Sequence, residues 1–367
     1  MLSTTVSHLN CPSCKSILVL SSTYKVLTEI RSGVLKCESC DLTFLILAGV
    51  AILTENTHEY LVTHVKGISK IVKDNEIPDE FLEDYLAAKA EIEPEHIEED
   101  LEAERVNALY LMNHYLRADS KLEWWKPVSG SPSPWIDQLV RQHWDHGPFT
   151  KIKTWLTEIT QTRRLNAAIE FGCGVGGLHA VLKPHCDFYL GVDYSFASIA
   201  LARHLALGVP YPFTLRIPED LLKGCVSREI NISVPKSFDG SVDFVVTDFQ
   251  APAIAGKWDL SVSLNMIDML PDPESLPSLQ WDLLKSNGLA IQSCPYIWSE
   301  PVAKALRAQL PDDLLGDSAR AVEWLYEKIG FKIDKNISHV PWLFFKHVRQ
   351  LELYSVHMFL ARKQLDV

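Results

Sequence analysis

The carboxyl-terminal part of the chain alternates short apolar runs with segments of helical periodicity. Five continuous apolar runs, at 167–169, 188–193, 242–248, 258–265 and 288–294, are typical of strands buried on both faces of a parallel sheet. Residues 331–345 and 351–361 alternate apolar and polar positions instead, which predicts a closing antiparallel pair. The pattern predicts an α/β fold built around a nucleotide-binding half-fold.

The segment 167–177 reads AAIEFGCGVGG and joins the first run to a helix predicted to begin near Leu178. Glycines are needed where the backbone turns sharply and a ligand approaches it closely. Asp193 follows at the end of the second run, 17 residues after Gly176. A strand, a glycine turn (172–177), a helix and a strand ending in an acid predict a nucleotide site. An NAD-binding turn, or a tight turn without a ligand, remains an alternative at this point.

The acid Glu170 stands two residues before Gly172, where NAD sites usually have apolar residues. This E-x-G-x-G-x-G pattern, followed by an acid on the next strand, resembles motif I of class I S-adenosylmethionine (SAM)-dependent methyltransferases. The resemblance implies a Rossmann-like sheet, backbone contacts to the methionine moiety, an acid on the ribose hydroxyls and an acid–aromatic pair at adenine. The implied cofactor-binding residues are Glu170, Gly172, Cys173, Gly174, Gly176, Asp193, Tyr194, Asp248, Phe249 and Asn265.

Two CxxC knuckles lie near the start of the chain, Cys11/Cys14 and Cys37/Cys40. Four thiolates in this pattern predict one structural zinc ion, because they fill a tetrahedral shell and leave no open position. Four buried or redox-active cysteines are the alternative. CPSCK and the later run SGVLKCESCDLTFLILAGVAIL resemble a Trm112-like zinc ribbon, although the family's closing prolines are absent. We therefore assign residues 1–55 to a small zinc ribbon without chemistry of its own.

Residues 56–135 are predicted to form a helical acidic linker or lid. Positions 74–104 carry 14 acids and one base, a net charge of −13 against −12 for the whole chain. These charges fit a solvated helical face or a surface that docks a partner. Trp124, Trp125 and Trp135 flank a Pro/Ser/Gly-rich stretch and belong either to the core or to a lid. The remaining residues, 136–367, form the predicted methyltransferase domain, with an insertion at 208–240 that is expected to shape a substrate pocket.

Three later segments narrow the substrate. IPED (217–220), LNMIDMLPDP (264–273) and CPYIWSE (294–300) resemble the C-terminal methyltransferase domain of ovothiol synthases, over roughly residues 140–367. That domain N-methylates the imidazole of a thiolated histidine. The resemblance implies a stand-alone enzyme acting on a thiohistidine or its selenium counterpart, because a ribbon replaces the iron-dependent part.

The candidates for holding this acceptor and taking up its charge are Asn265, Asp268 and Tyr296. Trp298 and Glu300 are candidates for stacking the ring or binding the ammonium group, and Arg216 for the carboxylate. A helix N-cap is the alternative role for Asp268, and core packing for Tyr296 and Trp298. His339, Trp342 and Phe344 line either the pocket or a buried strand.

Charge and composition limit the partners. Outside the acidic segment the net charge is about +1, so no large phosphate-binding surface is expected. No apolar run reaches the ~20 residues that span a bilayer, and the first ten residues lack a secretory pattern. We expect a cytoplasmic enzyme with a small-molecule substrate, without membrane or nucleic acid partners, and leave a homodimer open. The alternatives are an rRNA or tRNA base methyltransferase whose ribbon binds RNA, and a cofactor-binding activator of another methyltransferase.

Overall fold

The computed structural model describes residues 1–26, 29–92, 97–116, 125, 132–217, 226–232, 240–347 and 349–364. Within them the strands are β1 (Leu18–Val26), β2 (Glu29–Cys37), β3 (Thr43–Leu47), β4 (Val50–Leu53), β5 (Leu165–Phe171), β6 (Cys186–Asp193), β7 (Tyr211–Ile217), β8 (Val226–Ile232), β9 (Val242–Thr247), β10 (Trp258–Leu264), β11 (Leu284–Cys294), β12 (Phe331–His347) and β13 (Gln350–Lys363). The helices are α1 (Thr57–Thr63), α2 (Val65–Ser69), α3 (Asp79–Ala90), α4 (Ile97–Tyr115), α5 (Pro134–His143), α6 (Pro148–Thr160), α7 (His179–Leu182), α8 (Phe196–Ala206), α9 (Ser275–Leu283), α10 (Glu300–Arg307) and α11 (Ser318–Ile329). None of the described helices combines the length and the apolar character needed to cross a bilayer.

Eleven of these strands form one sheet in the order β1-β2-β3-β4-β9-β6-β5-β10-β11-β13-β12. The strands β9, β6, β5, β10 and β11 are parallel to one another, and β13 is antiparallel to β11. The earliest of these five strands, β5, lies at their centre, so the direction of winding reverses beside it. Ligands of open α/β sheets bind outside the carboxyl ends of the strands at such a point. The predicted Rossmann-like α/β fold and its closing antiparallel pair are confirmed.

The apolar runs are continuous because both faces of the parallel strands are covered. All six residues of β9 are buried, and on β5 neighbouring residues join different apolar clusters. Ala168 packs into one cluster, whereas Ala167 and Ile169 pack into the other on the opposite face. Successive side chains of a strand alternate between faces, so a strand covered on both sides shows no polar alternation.

The ribbon extends this sheet rather than standing apart from it. The apolar run at 44–53 folds as the hairpin β3–β4, with Ala48 (φ 49°) and Gly49 (φ 84°) in its turn. A Cβ on Gly49 would lie 2.8 Å from Glu29 Oε1, so the turn needs a residue without a side chain. Strand β4 then pairs in parallel with β9, through Ile52 with Val246. The boundary predicted after residue 55 stays a prediction.

A buried ion network ties the ribbon to the central sheet. Arg203 on α8 pairs with Asp243 on β9 and, at 2.9 Å, with Glu29 on β2. Asp243 also accepts hydrogen bonds from the Leu2 backbone N–H at 2.7 Å and from the Thr5 hydroxyl at 2.5 Å. Arg203 is 2% exposed and Asp243 is fully buried, so each charge depends on its partners for solvation.

We expect Glu29→Gln to lower the free energy of unfolding by about 2 kcal/mol, because the buried Arg203 loses one carboxylate partner. Arg31→Gln is the matched control. Arg31 contacts the same Glu29 at 3.4 Å but is 41% exposed, and an exposed pair contributes about 0–1 kcal/mol. Urea denaturation followed by fluorescence measures both variants. If both variants lose the same free energy of unfolding, the buried pair of Glu29 with Arg203 does not hold the ribbon to the sheet.

The helix after the glycine turn begins one residue after Leu178, but α7 has only four residues. Pro184 lies in the following 3-10 turn, Lys183–His185, and cannot continue an α-helix because it lacks the N–H group. The predicted insertion at 208–240 contains an antiparallel hairpin, β7–β8, outside the main sheet. Residues 218–225 and 233–239 of that insertion lie outside the described residues.

The described part of the linker contains the four helices α1 to α4, and α4 packs against β7 and β12. Of the flanking tryptophans, Trp125 is 6% exposed and packs edge-on to Phe345, which makes it a core residue. Trp135 at the start of α5 is 67% exposed. Trp135 is therefore not a core residue, and its place in a lid stays a prediction; Trp124 lies outside the described residues.

Candidate cofactor and acceptor site

The glycine turn follows β5 at the point where the winding reverses. Its glycines Gly172 (φ 67°), Gly174 (φ 51°) and Gly176 (φ 79°) adopt left-handed backbone conformations that disfavour other residues. A Cβ on Gly176 would lie 2.6 Å from the Phe244 ring, so this glycine allows β9 to approach. A Cβ on Gly174 would meet nothing within 4 Å. The backbone at Gly174 therefore faces open space, where a ligand can approach it.

Helix α4 lies against this turn. A Cβ on Gly177 would lie 2.5 Å from His114 Cβ, and the Tyr115 hydroxyl donates to the Val175 carbonyl at 2.6 Å. Asn113, which is fully buried, fixes the helix to β12 by bonding both backbone groups of Phe345, at 2.8 and 2.9 Å. Sequence analysis did not single out these residues, because an Asn-His-Tyr run on an amphipathic helix carries no signal of its contacts.

Asp193 ends β6 beside the glycine turn, as predicted. Its Oδ2 accepts a hydrogen bond from the Gly174 backbone N–H, and its Oδ1 accepts one from the Ser195 N–H, both at 2.9 Å. Burial raises the pKa of Asp193, while these N–H groups act in the opposite direction. The next residue, Tyr194, is 46% exposed, and its carbonyl accepts the Tyr60 hydroxyl at 2.6 Å. The carboxylate is thus held against the backbone of the turn.

Glu170 lies one layer deeper, at 3% exposure, and accepts a hydrogen bond from the Tyr189 hydroxyl. Burial raises the pKa of Glu170 to about 8, and the nearby charge of Asp193 acts in the same direction. Cys173 is 1% exposed, and its N–H donates to the Val192 carbonyl at 3.1 Å. The structure places Glu170 near the end of β5 and Cys173 inside the turn; a direct contact of either with a cofactor stays a prediction.

We expect Glu170→Gln to make the cofactor-free protein more stable than the wild type, increasingly so as the pH rises. In the folded state Glu170 keeps its proton up to about pH 8, whereas in the unfolded chain it ionises above the ordinary pKa of ~4.5. The stability that this proton contributes to the wild type is therefore complete below pH ~4.5 and is lost as the pH rises from ~4.5 to about 8. The difference in unfolding free energy between variant and wild type should grow by at least ~1 kcal/mol from about pH 5 to pH 8. Thermal denaturation across this range measures it, and a pH-independent difference would contradict it.

The other predicted cofactor residues follow the neighbouring strands. Asp248 comes directly after β9, and its Oδ1 accepts the Gln250 N–H at 2.8 Å. The Phe249 ring packs edge-on to Phe171 with centroids 6.0 Å apart. Both are half-buried at the carboxyl edge of the sheet. Their roles at an adenine ring stay predictions.

Asn265 begins the loop after β10, in a left-handed conformation (φ 53°). Its side-chain oxygen accepts the Ser293 hydroxyl at 3.1 Å, and its N–H donates to the Ser293 carbonyl at 2.8 Å. The next residue, Met266, has its sulfur 3.3 Å from where a Cβ on Gly172 would lie. This loop therefore connects the glycine turn with the end of β11.

Asp268 is 5% exposed and accepts the Ile297 N–H at 2.8 Å. This bond fixes the loop after β11. The alternative role of Asp268 as a helix N-cap is not what the structure shows, because the residue lies inside a 3-10 turn, Ile267–Met269. Tyr296, in that loop, stacks on Trp298 with ring centroids 5.7 Å apart, and the Trp298 indole donates to Ser318 at 3.1 Å. Asn265 and Asp268 thus lie in the loop after β10 and Tyr296 in the loop after β11, and a hydrogen bond joins the two loops. The catalytic roles of these three residues stay predictions.

The remaining candidates are more scattered. Glu300 is 80% exposed at its side chain and pairs with Arg307 at 2.8 Å. Trp342 is buried in the core at 6% exposure, whereas His339 is exposed and within 3.0 Å of the Ser355 hydroxyl. Arg216 belongs to β7, but its side chain lies outside the described part of the chain. These positions leave the group that binds an acceptor's carboxylate unassigned.

Sequence analysis missed two residues that are linked to the Tyr296 hydroxyl by close polar contacts. His357 on β13 lies 2.6 Å from the Tyr296 hydroxyl, and Glu323 on α11 lies 3.2 Å from His357. Both are among the buried charged or polar residues of the described chain, at 5% and 3% exposure. No sequence signal joins them, because 61 residues separate Tyr296 from His357 along the chain.

The four knuckle cysteines converge next to the loop after β9, since Lys15 Nζ, directly after the first knuckle, donates to the Pro252 carbonyl at 3.1 Å. Their sulfur atoms all lie within 4.8 Å of one another, with Cys14 Sγ 3.4 Å from Cys37 and 3.5 Å from Cys40. Four thiolates around zinc at ~2.3 Å stand about 3.8 Å apart, so the cluster fits a tetrahedral ion. Lys15 and Asp41 follow the knuckles with φ of 60° and 58°. The cysteine cluster is compatible with the predicted ribbon, and the identity of the metal stays a prediction.

No protein-family model matches the sequence, and no curated protein matches it. Among solved structures, the chain is similar to the N-methyltransferase NodS from Bradyrhizobium japonicum WM9, at 13% identity and a TM-score of 0.37, over 60% of this chain and 99% of that chain. It is also similar to the magnesium protoporphyrin IX methyltransferase ChlM from Synechocystis PCC 6803 with bound SAM (14%, TM-score 0.37, 71% and 97%). A third likeness is to the [4+2]-cyclase SpnF (13%, TM-score 0.40, 60% and 84%). At these values the likenesses identify neither an acceptor nor a reaction.

Proposed function

We propose that this chain is a SAM-dependent methyltransferase. The observation that carries the proposal is the open backbone at Gly174 beside the Asp193 carboxylate, at the carboxyl edge where the winding of the sheet reverses. A carboxylate next to a bare, left-handed glycine fits a ligand that has hydroxyl groups to donate and needs close contact with the main chain.

The residues present fit the cofactor as follows. Gly172, Cys173 and Gly174 would hold its amino-acid part by their backbone, and Asp193 would hold the ribose. Asp248 and Phe249, at the end of the neighbouring strand, would hold the adenine. When bound, SAM supplies a sulfonium methyl group as the electrophile. The protein's main contribution is then to position a nucleophile in line with it and to exclude water.

For the acceptor we propose the imidazole nitrogen of a thiolated or selenated histidine. The loops after β10 and β11 support this choice, because they bring an amide (Asn265), a phenol (Tyr296) and a stacked ring pair (Tyr296 with Trp298) to one edge of the sheet. A neutral imidazole already carries a lone pair, so no strong base is needed before attack. It must, however, release the proton of its other ring nitrogen.

The test is methyl transfer from labelled SAM to 5-thiohistidine, 5-selenohistidine, histidine and bulk RNA, with products identified by mass spectrometry. A methylated imidazole is expected with the thiolated or selenated substrate. Methylated RNA would favour the alternative of a base methyltransferase, and SAM binding without transfer to any acceptor would reject the acceptor while retaining the cofactor site.

A further inference from the structure

A buried chain of hydrogen bonds leads away from Tyr296. Its phenol oxygen lies 2.6 Å from His357 Nδ1, and His357 Nε2 lies 3.2 Å from Glu323 Oε1. The same carboxylate accepts Asn336 Nδ2 at 2.6 Å and, on its other oxygen, Arg320 Nη1 at 2.6 Å. The three linked groups, Tyr296, His357 and Glu323 (the relay), come from three different elements of the fold.

The direction of these hydrogen bonds follows from the chemistry of their ends. Glu323 already accepts from Arg320 and Asn336 and acts as an acceptor, so His357 Nε2 carries the proton and donates it to the carboxylate. His357 Nδ1 is then the bare nitrogen, and the Tyr296 hydroxyl donates to it. The Tyr296 oxygen therefore keeps its lone pairs for a donor that arrives from outside the relay.

Tyr296 also has a strained backbone conformation and lies in a loop beside the proposed cofactor site, and both features are typical of functional residues. Its φ of 62° is unfavourable for an aromatic side chain, and the strain is held by the bond from its N–H to Cys294 Sγ at 3.2 Å. The N–H of its neighbour Ile297 donates to Asp268, and the sulfur of Met266, in the same loop as Asp268, lies 3.3 Å from where a Cβ on Gly172 would be. The relay thus ends in the loop that adjoins the proposed cofactor site.

We propose that Tyr296, His357 and Glu323 accept the proton that a heteroaromatic N–H acceptor releases during methyl transfer. The inference rests on the proposed function. The new N–C bond forms as the S–C bond breaks, and the proton of the other ring nitrogen passes to the Tyr296 oxygen. The tyrosine proton passes to His357 Nδ1, and the resulting imidazolium is stabilised by Glu323. Tyr296 is the catalytic residue, and His357 and Glu323 are positioning residues that act through it.

The titratable and charged groups around His357 fit this role. Tyr296 faces it from the loop after β11, while Glu323 and Asp317 face it from α11 and its N-cap. Burial lowers the pKa of His357, and the two carboxylates act in the opposite direction. The ring is therefore neutral at physiological pH and ready to accept a proton.

The experiment compares Tyr296→Phe, His357→Gln and Glu323→Gln with the wild type in single-turnover transfer from SAM to 5-thiohistidine. We expect Tyr296→Phe to lower the rate about 100-fold and Glu323→Gln about 10-fold, with the dissociation constant of SAM changed by less than about 2-fold. The wild-type rate should fall in acid where His357 is protonated, and His357→Gln should lose this limb. Tyr326→Phe is the matched control, because it removes another buried hydroxyl, one that donates to Gln280 at 2.6 Å.

A second readout does not depend on turnover. In protein labelled with ¹⁵N-histidine, the resonance lost in His357→Gln should show the Nε2–H tautomer and should shift in Tyr296→Phe but not in Tyr326→Phe. A proton on Nδ1, or a Tyr296→Phe rate within about 3-fold of wild type, would overturn the relay while wild-type transfer upholds the function. If the wild type transfers no methyl group to 5-thiohistidine or to 5-selenohistidine, the proposed acceptor falls and the relay falls with it.

Discussion

Removing the metal from the site formed by Cys11, Cys14, Cys37 and Cys40 is expected to unfold the ribbon. A structural zinc site contributes folding free energy directly, about 10–16 kcal/mol in isolated zinc-finger peptides, because its ligands do not converge without the ion. Here Cys14 and Cys40 are exposed, and the two knuckles are joined across the β1–β2 hairpin. A metal ion bound by the four cysteines would therefore be the main link at the outer end of the ribbon.

The loss should spread to the central sheet. Strand β4 covers the edge of β9, whose six residues are all buried, and the ion pair between Glu29 and Arg203 joins the same two parts. Unfolding of the ribbon would leave β9 as a bare apolar edge, which is a template for aggregation. We expect the melting temperature to fall by at least about 10 °C and the chelated protein to aggregate at lower temperature.

Elemental analysis and thermal scans with and without a strong chelator test this expectation. Cys37→Ser should reduce the bound metal and reproduce the fall in melting temperature. Cys186→Ser is the matched control, because Cys186 is also buried but donates to the Leu182 carbonyl at 3.4 Å, far along the chain from the knuckles. A chelated protein that keeps its melting temperature would show that the four thiols hold the ribbon without a metal.

Most of the fold could be predicted from local patterns of apolar and polar residues. The five apolar runs and the alternating closing pair are strands in the structure, within a few residues of their predicted ends, because burial on both faces or on one face leaves its mark on each strand separately. The length of α7 was less accessible. A helix after the glycine turn was predicted from the strand–turn–helix pattern, and the proline at 184 that ends it was not weighed against that expectation.

Contacts between residues far apart along the chain could not be predicted from the sequence. Nothing in the four residues of β4 indicates that Ile52 pairs with Val246, almost two hundred positions away. The same holds for His357 and Glu323, since a histidine on an apolar strand and an acid on a helix are common wherever no site exists. Asp193 was found because the distance from the glycine turn is short and recurs in nucleotide-binding folds, so that the sequence itself records the contact.

Replacing Asp193 by alanine is expected to weaken the binding of SAM by at least about 100-fold. A carboxylate that accepts hydrogen bonds from two hydroxyl groups contributes ~1.5–3 kcal/mol for each, and alanine removes both. Asp193→Asn keeps one acceptor oxygen but loses the charge, so we expect a smaller loss of about 10-fold. Isothermal titration calorimetry with SAM and with S-adenosylhomocysteine measures both variants.

The structure supplies a control on the same strand. Asp187 lies near the start of β6, at the opposite edge of the sheet, where it pairs with the exposed Arg164 at 2.8 Å. Asp187→Ala removes a carboxylate from β6 and should leave the dissociation constant unchanged, because ligands of this fold bind at the carboxyl edge. A similar loss in both variants would point to a general weakening of the sheet.

One complication has to be separated from the ligand contact. Asp193 also accepts the N–H groups of Gly174 and Ser195, so its removal loosens the turn that the cofactor would occupy. The asparagine variant distinguishes the two effects, since its amide oxygen still accepts one of these N–H groups while its charge is gone. If Asp193→Asn binds SAM as tightly as the wild type and Asp193→Ala does not, the carboxylate holds the turn rather than the ribose. If both bind normally, SAM is not held by Asp193, and the observation that carries the proposed function is lost.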